Sequence, residues 1–269
     1  MISVIMSVFN NENTIEKSLL SLLEGSYKDI EIIIVNDGST DSSEQIIREI
    51  QKRYSNVVLI NNDENKGIPY SLNLAIKNAK GEYIARNDGD DYSAYDRLEK
   101  QLNYLNKHTE YDFVCTSCFL YDFDKGVYGT RHYTEIITKN DLIKFNPFIH
   151  PTLLIKKSTL LEVNGYQDSI DVKRCEDYDL FFRLYLNSFK GVNMQEELYF
   201  YYEDTKELKI RTREERRIEH RLRDKYTKLL NIKFPLTLYK YKPLLLMYFP
   251  KFIYRFAHKK LNNNNLEKK

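Results

Sequence analysis

The sequence predicts an α/β protein built on a mostly parallel sheet with helices on both faces. Two observations carry this. Apolar runs of strand length recur four times in the first hundred residues, and each is followed by a segment of helical period. Strand–helix units of that length imply parallel strands joined by right-handed crossovers. With 42% hydrophobic and 30% charged residues among 269, one large domain with an appendage is expected. Such a chain buries enough surface to need no disulfide or metal staple.

Residues 2–9 form a nearly continuous apolar run, as in a strand covered on both faces. Asn13 offers an N-cap with Glu16 three residues on, the pattern of a capping box, and Ile15, Leu19, Leu22 and Leu23 share one helical face. The cycle repeats with a strand at 30–35 and a helix from Asp41, which has Glu44 three residues on. A third strand at 57–60 precedes a helix carrying Leu72, Ala75, Ile76 and Ala79. A fourth strand at 83–85 leads through a loop to a helix with Leu98, Leu102 and Leu105.

Beyond residue 110 the regularity fades. Residues 113–123 read as a strand, Asp124-Lys125-Gly126 as a hairpin turn into 127–133, and 152–155 as another strand. Residues 177–187 read as a buried helix. Ile218, Leu222, Tyr226, Leu229 and Leu230 mark an amphipathic one, and 262–269 a polar tail.

Composition excludes several classes. The balance of 41 basic and 39 acidic residues leaves a net charge of +2, not that of a dedicated nucleic-acid binder. Arg216, Arg217, Arg221 and Arg223 cluster around His220 without a reading module, so no nucleic-acid partner is expected. No apolar run approaches the ~18 residues of a membrane span. The first residues lack the basic start of a signal peptide, so a cytoplasmic location is expected. Cys115 and Cys118 are spaced as Cys-x-x-Cys, but on a strand they face opposite ways and suit packing better than a metal clip.

In open α/β sheets ligands bind beyond the carboxyl ends of the strands. The first strand ends in Ser7-Val8-Phe9-Asn10, without the glycine-rich turn of a dinucleotide site. The second ends in Asn36-Asp37-Gly38-Ser39-Thr40-Asp41, where Asp37 is either a turn residue or an acceptor for a base or ribose. The third is followed by Asn65-Lys66-Gly67, the fourth by Asp88-Gly89-Asp90-Asp91. Three carboxylates in four residues repel one another unless a cation sits among them. Oxygen ligands suit Mg²⁺ or Mn²⁺, which can bridge a nucleoside diphosphate.

These motifs, with Gly81-Glu82-Tyr83-Ile84-Ala85, Asp96-Arg97-Leu98-Glu99-Lys100-Gln101, His150-Pro151-Thr152 and Glu176-Asp177-Tyr178-Asp179-Leu180, resemble family 2 of the glycosyltransferases over about residues 2–205. The resemblance implies a GT-A fold, a Rossmann-like sheet with a C-terminal helical extension, and a metal-dependent, inverting enzyme. Residues 1–110 are then the nucleotide-sugar-binding half, 111–205 the acceptor-binding half, and 206–269 the extension.

By the same resemblance Asp37 contacts the uracil of a UDP-sugar, Ser7 and Phe9 line the base pocket, and Lys66 lies on the nucleotide side. Asp88 sits near ribose and sugar, Asp90 holds Mn²⁺ or Mg²⁺ with Asp88 a further ligand, and Asp177 is the base. Glu176 and His150 fall on the acceptor side. Read without the family, Asp177 is a carboxylate favoured at a helix N-terminus, and His150 a polar loop residue. Ser7 stands where many members have proline, and Asn36 replaces the first aspartate of a commoner pair. Many members also have a histidine where this chain reads Tyr201-Tyr202-Glu203-Asp204-Thr205, so either weaker metal binding, or water or Glu203 as third ligand, is expected.

The expected reaction moves galactose or glucose to a lipid-diphosphate-linked or oligosaccharide acceptor in bacterial O-antigen or capsule synthesis. A nucleotidyltransferase would want a glycine-rich loop after strand one, and a non-catalytic nucleotide-sugar-binding subunit would not need the Glu-Asp pair. The mixture of Pro243, Pro250, aromatic residues and lysines after residue 234 suits a membrane surface, or else packing on the catalytic domain.

Overall fold

The computed structural model describes residues 1–206 and 210–250. β1 (Ile2–Val8), α1 (Ile15–Leu23), β2 (Ile30–Asn36), α2 (Ser43–Arg53), β3 (Val57–Asn61), α3 (Ile68–Asn78) and β4 (Tyr83–Arg86) alternate as the periodicity predicts. There follow β5 (Tyr92–Ser93), α4 (Arg97–Lys107), β6 (Phe113–Asp122), β7 (Gly126–Arg131), α5 (Lys139–Lys144), β8 (Leu154–Lys156) and α6 (Lys157–Glu162). The chain continues through α7 (Glu176–Leu186), β9 (Gly191–Tyr202), α8 (Arg213–Leu229) and α9 (Lys242–Leu246).

Among the described residues the strands form one sheet of order β3-β2-β1-β4-β8-β6-β9-β5, with β7 on β6. The pairs β1–β2, β2–β3 and β1–β4 are parallel. β8 runs antiparallel to both β4 and β6, and β6 pairs β9 in parallel, so the sheet is mixed. An antiparallel insertion needs no crossover helix, which is why the helical rhythm lapses after residue 110.

Alternate residues of β1 enter different cores. Ile5 joins Leu72, Phe113, Phe181 and Leu222 on the face of α3, α7 and α8. Val4 and Met6 join Leu19, Ile47 and Leu98 on the face of α1, α2 and α4. Burial on both faces explains the continuous apolar runs of the early strands.

The local signals hold less well. α1 begins at Ile15 with Thr14 at its N-cap, and no Asn13–Glu16 capping box forms. The Thr14 hydroxyl is drawn instead to the Asn11 and Gly89 carbonyls, and Glu16 faces Arg53 at 3.8 Å. Asp41 accepts from the Ser43 and Glu12 amides, but Glu44 pairs with Arg48 rather than reaching back. Reciprocal boxes occur at Thr138–Asp141 and Thr212–Glu215. The strand expected at 152–155 starts two residues later, because His150–Thr152 form a 3₁₀ turn. β9 carries no clean alternation, since its pairing with β6 shifts register twice near Ser117.

α8 lays Ile218, Leu222 and Tyr226 on the core, and the buried Arg223 holds Glu219 at 2.7 Å and donates to the Ile143 carbonyl. The 3₁₀ turn Leu236–Tyr241 stays against this helix: the Tyr239 carbonyl accepts from Arg223, and His220 Nδ1 lies 2.7 Å from the Lys240 carbonyl. Outward from it stand Phe234 and Leu238, with Leu245, Tyr248 and Phe249 further along the chain. The part of the aromatic and lysine mixture beyond residue 250, and the polar tail, lie outside the described residues. Among the described residues no helix is long and apolar enough to cross a membrane.

Candidate active site

The carboxyl ends of β1, β2 and β4 open onto one cleft of about 670 Å³. Its first wall is built by Asp37. That carboxylate is buried and accepts from the Asn62 amide at 2.7 Å, from Lys66 N at 2.9 Å and from Gly67 N at 2.9 Å. Gly38 makes this possible: at φ +73, a Cβ there would meet the Glu64 and Asn65 backbone at 2.7–2.8 Å. Asn10 ties the two loops together, donating its N–H to Ser39 Oγ while its Oδ1 accepts from Thr40 N. Ser7, Phe9 and Lys66 line the same cleft, and the Lys66 ammonium lies 5.2 Å from the Tyr70 ring.

The floor is the acidic loop after β4. Its backbone is clamped from two sides. Ser18 of α1 and Thr14 at its N-cap donate to the carbonyls of Asp88 and Gly89, at 2.9 and 2.8 Å. From β6 the Tyr121 hydroxyl donates to the Asp90 carbonyl at 3.2 Å. On β9, the Tyr199 hydroxyl accepts from Asp88 N at 3.0 Å and Tyr202 N donates to Asp91 Oδ1 at 2.7 Å. Gly89 allows the loop to pass over Asn11, whose Oδ1 would lie 2.9 Å from an added Cβ.

With the backbone so held, ligand oxygens of Asp88, Asp90 and Asp91 gather within 4.8 Å of one another. Asp91 is buried, and its Oδ2 has no hydrogen-bond partner among the described residues. Burial, then the charges of Asp90 and Asp88, push its carboxyl well above the usual range. An all-oxygen cluster with an orphaned buried oxygen fits a hard divalent cation such as Mn²⁺ or Mg²⁺. Glu203 does not join it. That carboxylate is held by Arg131 at 3.0 Å and the Tyr128 hydroxyl at 2.6 Å, and the cluster found among the described residues does not include it.

The second wall comes from residues 168–176. Glu176 lines the cleft, and burial, followed by the Asp177 charge, raises its carboxyl above the usual value. Asp177, one residue along α7, is half-buried and accepts from the Asn146 amide at 2.8 Å. It is not among the cleft-lining residues. His150 departs from expectation: it is buried, absent from the cleft lining, and its Nε2 lies 2.6 Å from the Tyr166 hydroxyl. Packing inside the 3₁₀ turn before β8, with its ring edge-on to Phe181, removes it from solvent.

Sequence reasoning missed Arg86, Asn146 and the pair Lys173 and Arg174. Arg86 had a legible signal, a charged residue closing an apolar strand just before the acidic loop. The others sit in irregular loops that no periodicity marks. Cys115 and Cys118 are buried free thiols, as expected of packing residues.

The family model described as Glycosyl transferase family 2 matches residues 3–166. The putative glycosyltransferase EpsE of Bacillus subtilis is 36% identical over 272 residues, covering 99% of this chain and 96% of that protein. A UDP-Glc:alpha-D-GlcNAc-diphosphoundecaprenol beta-1,3-glucosyltransferase, WfaP of Escherichia coli, is 36% identical over 129 residues, 44% of this chain and 51% of that one. Among solved structures, S. aureus TarS 1–349 in complex with UDP-GlcNAc superposes at a TM-score of 0.67 with 18% identity, covering 91% of this chain and 71% of that one. The mannosyltransferase PcManGT of Pyrobaculum calidifontis, with GDP-Man and Mn²⁺, gives 0.61 and 17%, covering 91% and 68%. At these identities the two structures bear on the fold, which is GT-A.

Proposed function

The chain belongs to glycosyl transferase family 2, and we propose that it is an inverting, metal-dependent hexosyltransferase that uses a UDP-sugar. The observation that carries this reading is the clamped Asp88, Asp90 and Asp91 cluster on the floor of a cleft walled by Asp37. In the proposal Asp37, Ser7, Phe9 and Lys66 hold the nucleotide, and residues 1–110 serve the donor as 111–205 serve the acceptor. Asp88 and Asp90, with Asp91 behind them, would hold Mn²⁺ or Mg²⁺, which when bound neutralises charge on the diphosphate leaving group.

Asp177 then takes the proton of the acceptor hydroxyl as its oxygen bonds to the anomeric carbon and the carbon–oxygen bond to the diphosphate breaks. Asn146 holds the base carboxylate in place during this transfer. Glu176, on the cleft wall, faces the acceptor. His150 supports Tyr166 from inside the fold, and we assign it no contact with substrate.

We assign the donor as UDP-glucose or UDP-galactose and the acceptor as a lipid-diphosphate-linked or oligosaccharide hydroxyl in bacterial O-antigen or capsule synthesis. The UDP-glucose donor of WfaP and the complex of TarS with UDP-GlcNAc support a UDP-sugar, and the diphosphoundecaprenol acceptor of WfaP supports a lipid diphosphate. A cytoplasmic enzyme peripheral on the inner membrane face fits such an acceptor, with Leu245, Tyr248 and Phe249 as its contact. A panel of sugar nucleotides, read by release of the nucleoside diphosphate with and without Mn²⁺, tests the reading. Binding of UDP-sugar without transfer to any acceptor would favour a non-catalytic subunit instead.

A further inference from the structure

We propose that Lys173 and Arg174 form a cationic wall that binds a diphosphate group in the cleft, an inference that rests on the nucleotide-sugar reading. Both residues line the cleft, between the 3₁₀ turn Ile170–Val172 and the start of α7. Among the described residues the Lys173 ammonium has no ion-pair partner. Arg174 Nε lies 3.6 Å from Glu215 Oε1, a loose pair, and the arginine side chain is 53% exposed.

Consecutive side chains of an extended chain point opposite ways. Here the alternation is broken, because Arg174 adopts φ +63, a left-handed conformation that residues other than glycine seldom take. The flanking hydrogen bonds Cys175 N to the Val172 carbonyl and Lys173 N to the Ile170 carbonyl hold that turn, and Lys173 and Arg174 both line the same cleft.

The cleft they enter is acidic at its floor. An anion approaching Asp88 and Asp90 is repelled by them unless positive charge reaches it from elsewhere. A divalent cation among the carboxylates supplies part of that charge. Lys173 and Arg174, on the wall of residues 168–176, supply more, the guanidinium as a two-pronged donor and the ammonium as a point charge. A diphosphate is the group that needs both. It has two sources in this reaction, the UDP-sugar donor and a lipid-diphosphate acceptor.

Calorimetry with Mn²⁺ should show UDP binding weakened about tenfold by Lys173→Ala and by Arg174→Ala, with uridine binding unchanged. Lys173→Arg should restore it. That result assigns the wall to the donor. If UDP binding is unchanged but the KM for a diphosphate-bearing acceptor rises while that for a neutral allyl glycoside does not, the wall serves the acceptor. The inference is overturned if neither changes, or if uridine binding weakens together with UDP. Failure of the unaltered protein to bind UDP with Mn²⁺ would overturn the nucleotide-sugar reading as well.

Discussion

Arg86 Nη2 lies 2.6 Å from Asp88 Oδ1, joining the last residue of β4 to the acidic floor of the cleft. The arginine is buried, with a side-chain exposure of 4%, while Asp88 keeps 27%. Its Nε and Nη1 have no hydrogen-bond partner among the described residues. A guanidinium so placed costs stability unless it orients something, and the atom it orients is a carboxylate oxygen of the site. Arg86→Met should therefore weaken UDP binding about tenfold or more, the worth of a hydrogen bond to a charged group. Calorimetry with Mn²⁺ measures this, and a variant that binds as the unaltered chain does would remove Arg86 from the site.

Asp90→Ala should abolish transfer while leaving the fold intact. The loss reflects diphosphate charge left uncompensated, several kcal/mol in the transition state. EDTA should mimic it, and added Mn²⁺ should reverse EDTA but not the substitution. Full activity in EDTA would refute the metal assignment.

Asp177→Asn should keep UDP-sugar binding and lose turnover by about a hundredfold to ten-thousandfold, the range for removal of an acid–base group. Glu176→Gln should instead raise the acceptor KM. If Glu176→Gln proves the silent variant in KM and the lethal one in turnover, the two roles are exchanged. NMR of the product should show the anomeric configuration opposite to the donor's, and retention would refute the direct displacement.

Stability should fall in mild acid because of His150. Its burial, then the Arg86 charge, hold the folded imidazole well below its ordinary pKa of about 6.5. The unfolded chain therefore binds a proton there that the folded chain does not. The contribution is intact above about pH 6.5 and is lost as pH falls below it, by at most about 1.4 kcal/mol per pH unit. Urea unfolding from pH 7.5 to 5 should show the unaltered chain approaching His150→Gln in stability as pH drops. Parallel curves would contradict the shift.

The outward face after residue 234 should bind anionic lipid. Phe234 is 77% and Tyr248 80% exposed, while the backbone of the turn between them is docked on α8. A deletion from residue 234 would strip that docking and confuse the test. The triple change of Leu245, Tyr248 and Phe249 to serine leaves it in place. It should release the protein from anionic liposomes without altering transfer to a soluble acceptor. Unchanged liposome binding would dismiss this face as the contact.

What could be read from the chain alone was whatever depends on short segments. The apolar runs of β1 to β4, the helical stripe through Ile15, Leu19 and Leu22, and the carboxylates after β2 and β4 are local patterns, and burial on both sheet faces enforces them. The family resemblance rests on these and on further short motifs as far as Glu176-Asp177. The local signals that failed, such as Asn13 with Glu16, were weak ones that a tertiary partner could outbid, as the Gly89 carbonyl did for Thr14.

Only the tertiary structure decided how the functional side chains meet. β9 enters the sheet beside β6 through register shifts that leave no period in its sequence, yet its Tyr199 and Tyr202 clamp the acidic loop about 110 residues earlier. Asn146 reaches Asp177 across 31 positions, and His150 is drawn inside by Tyr166 instead of facing the cleft. Such contacts are set by packing between distant elements, and no window of sequence contains both partners. The composition of the walls is written in the residues; which of them face one another is written in the sheet order.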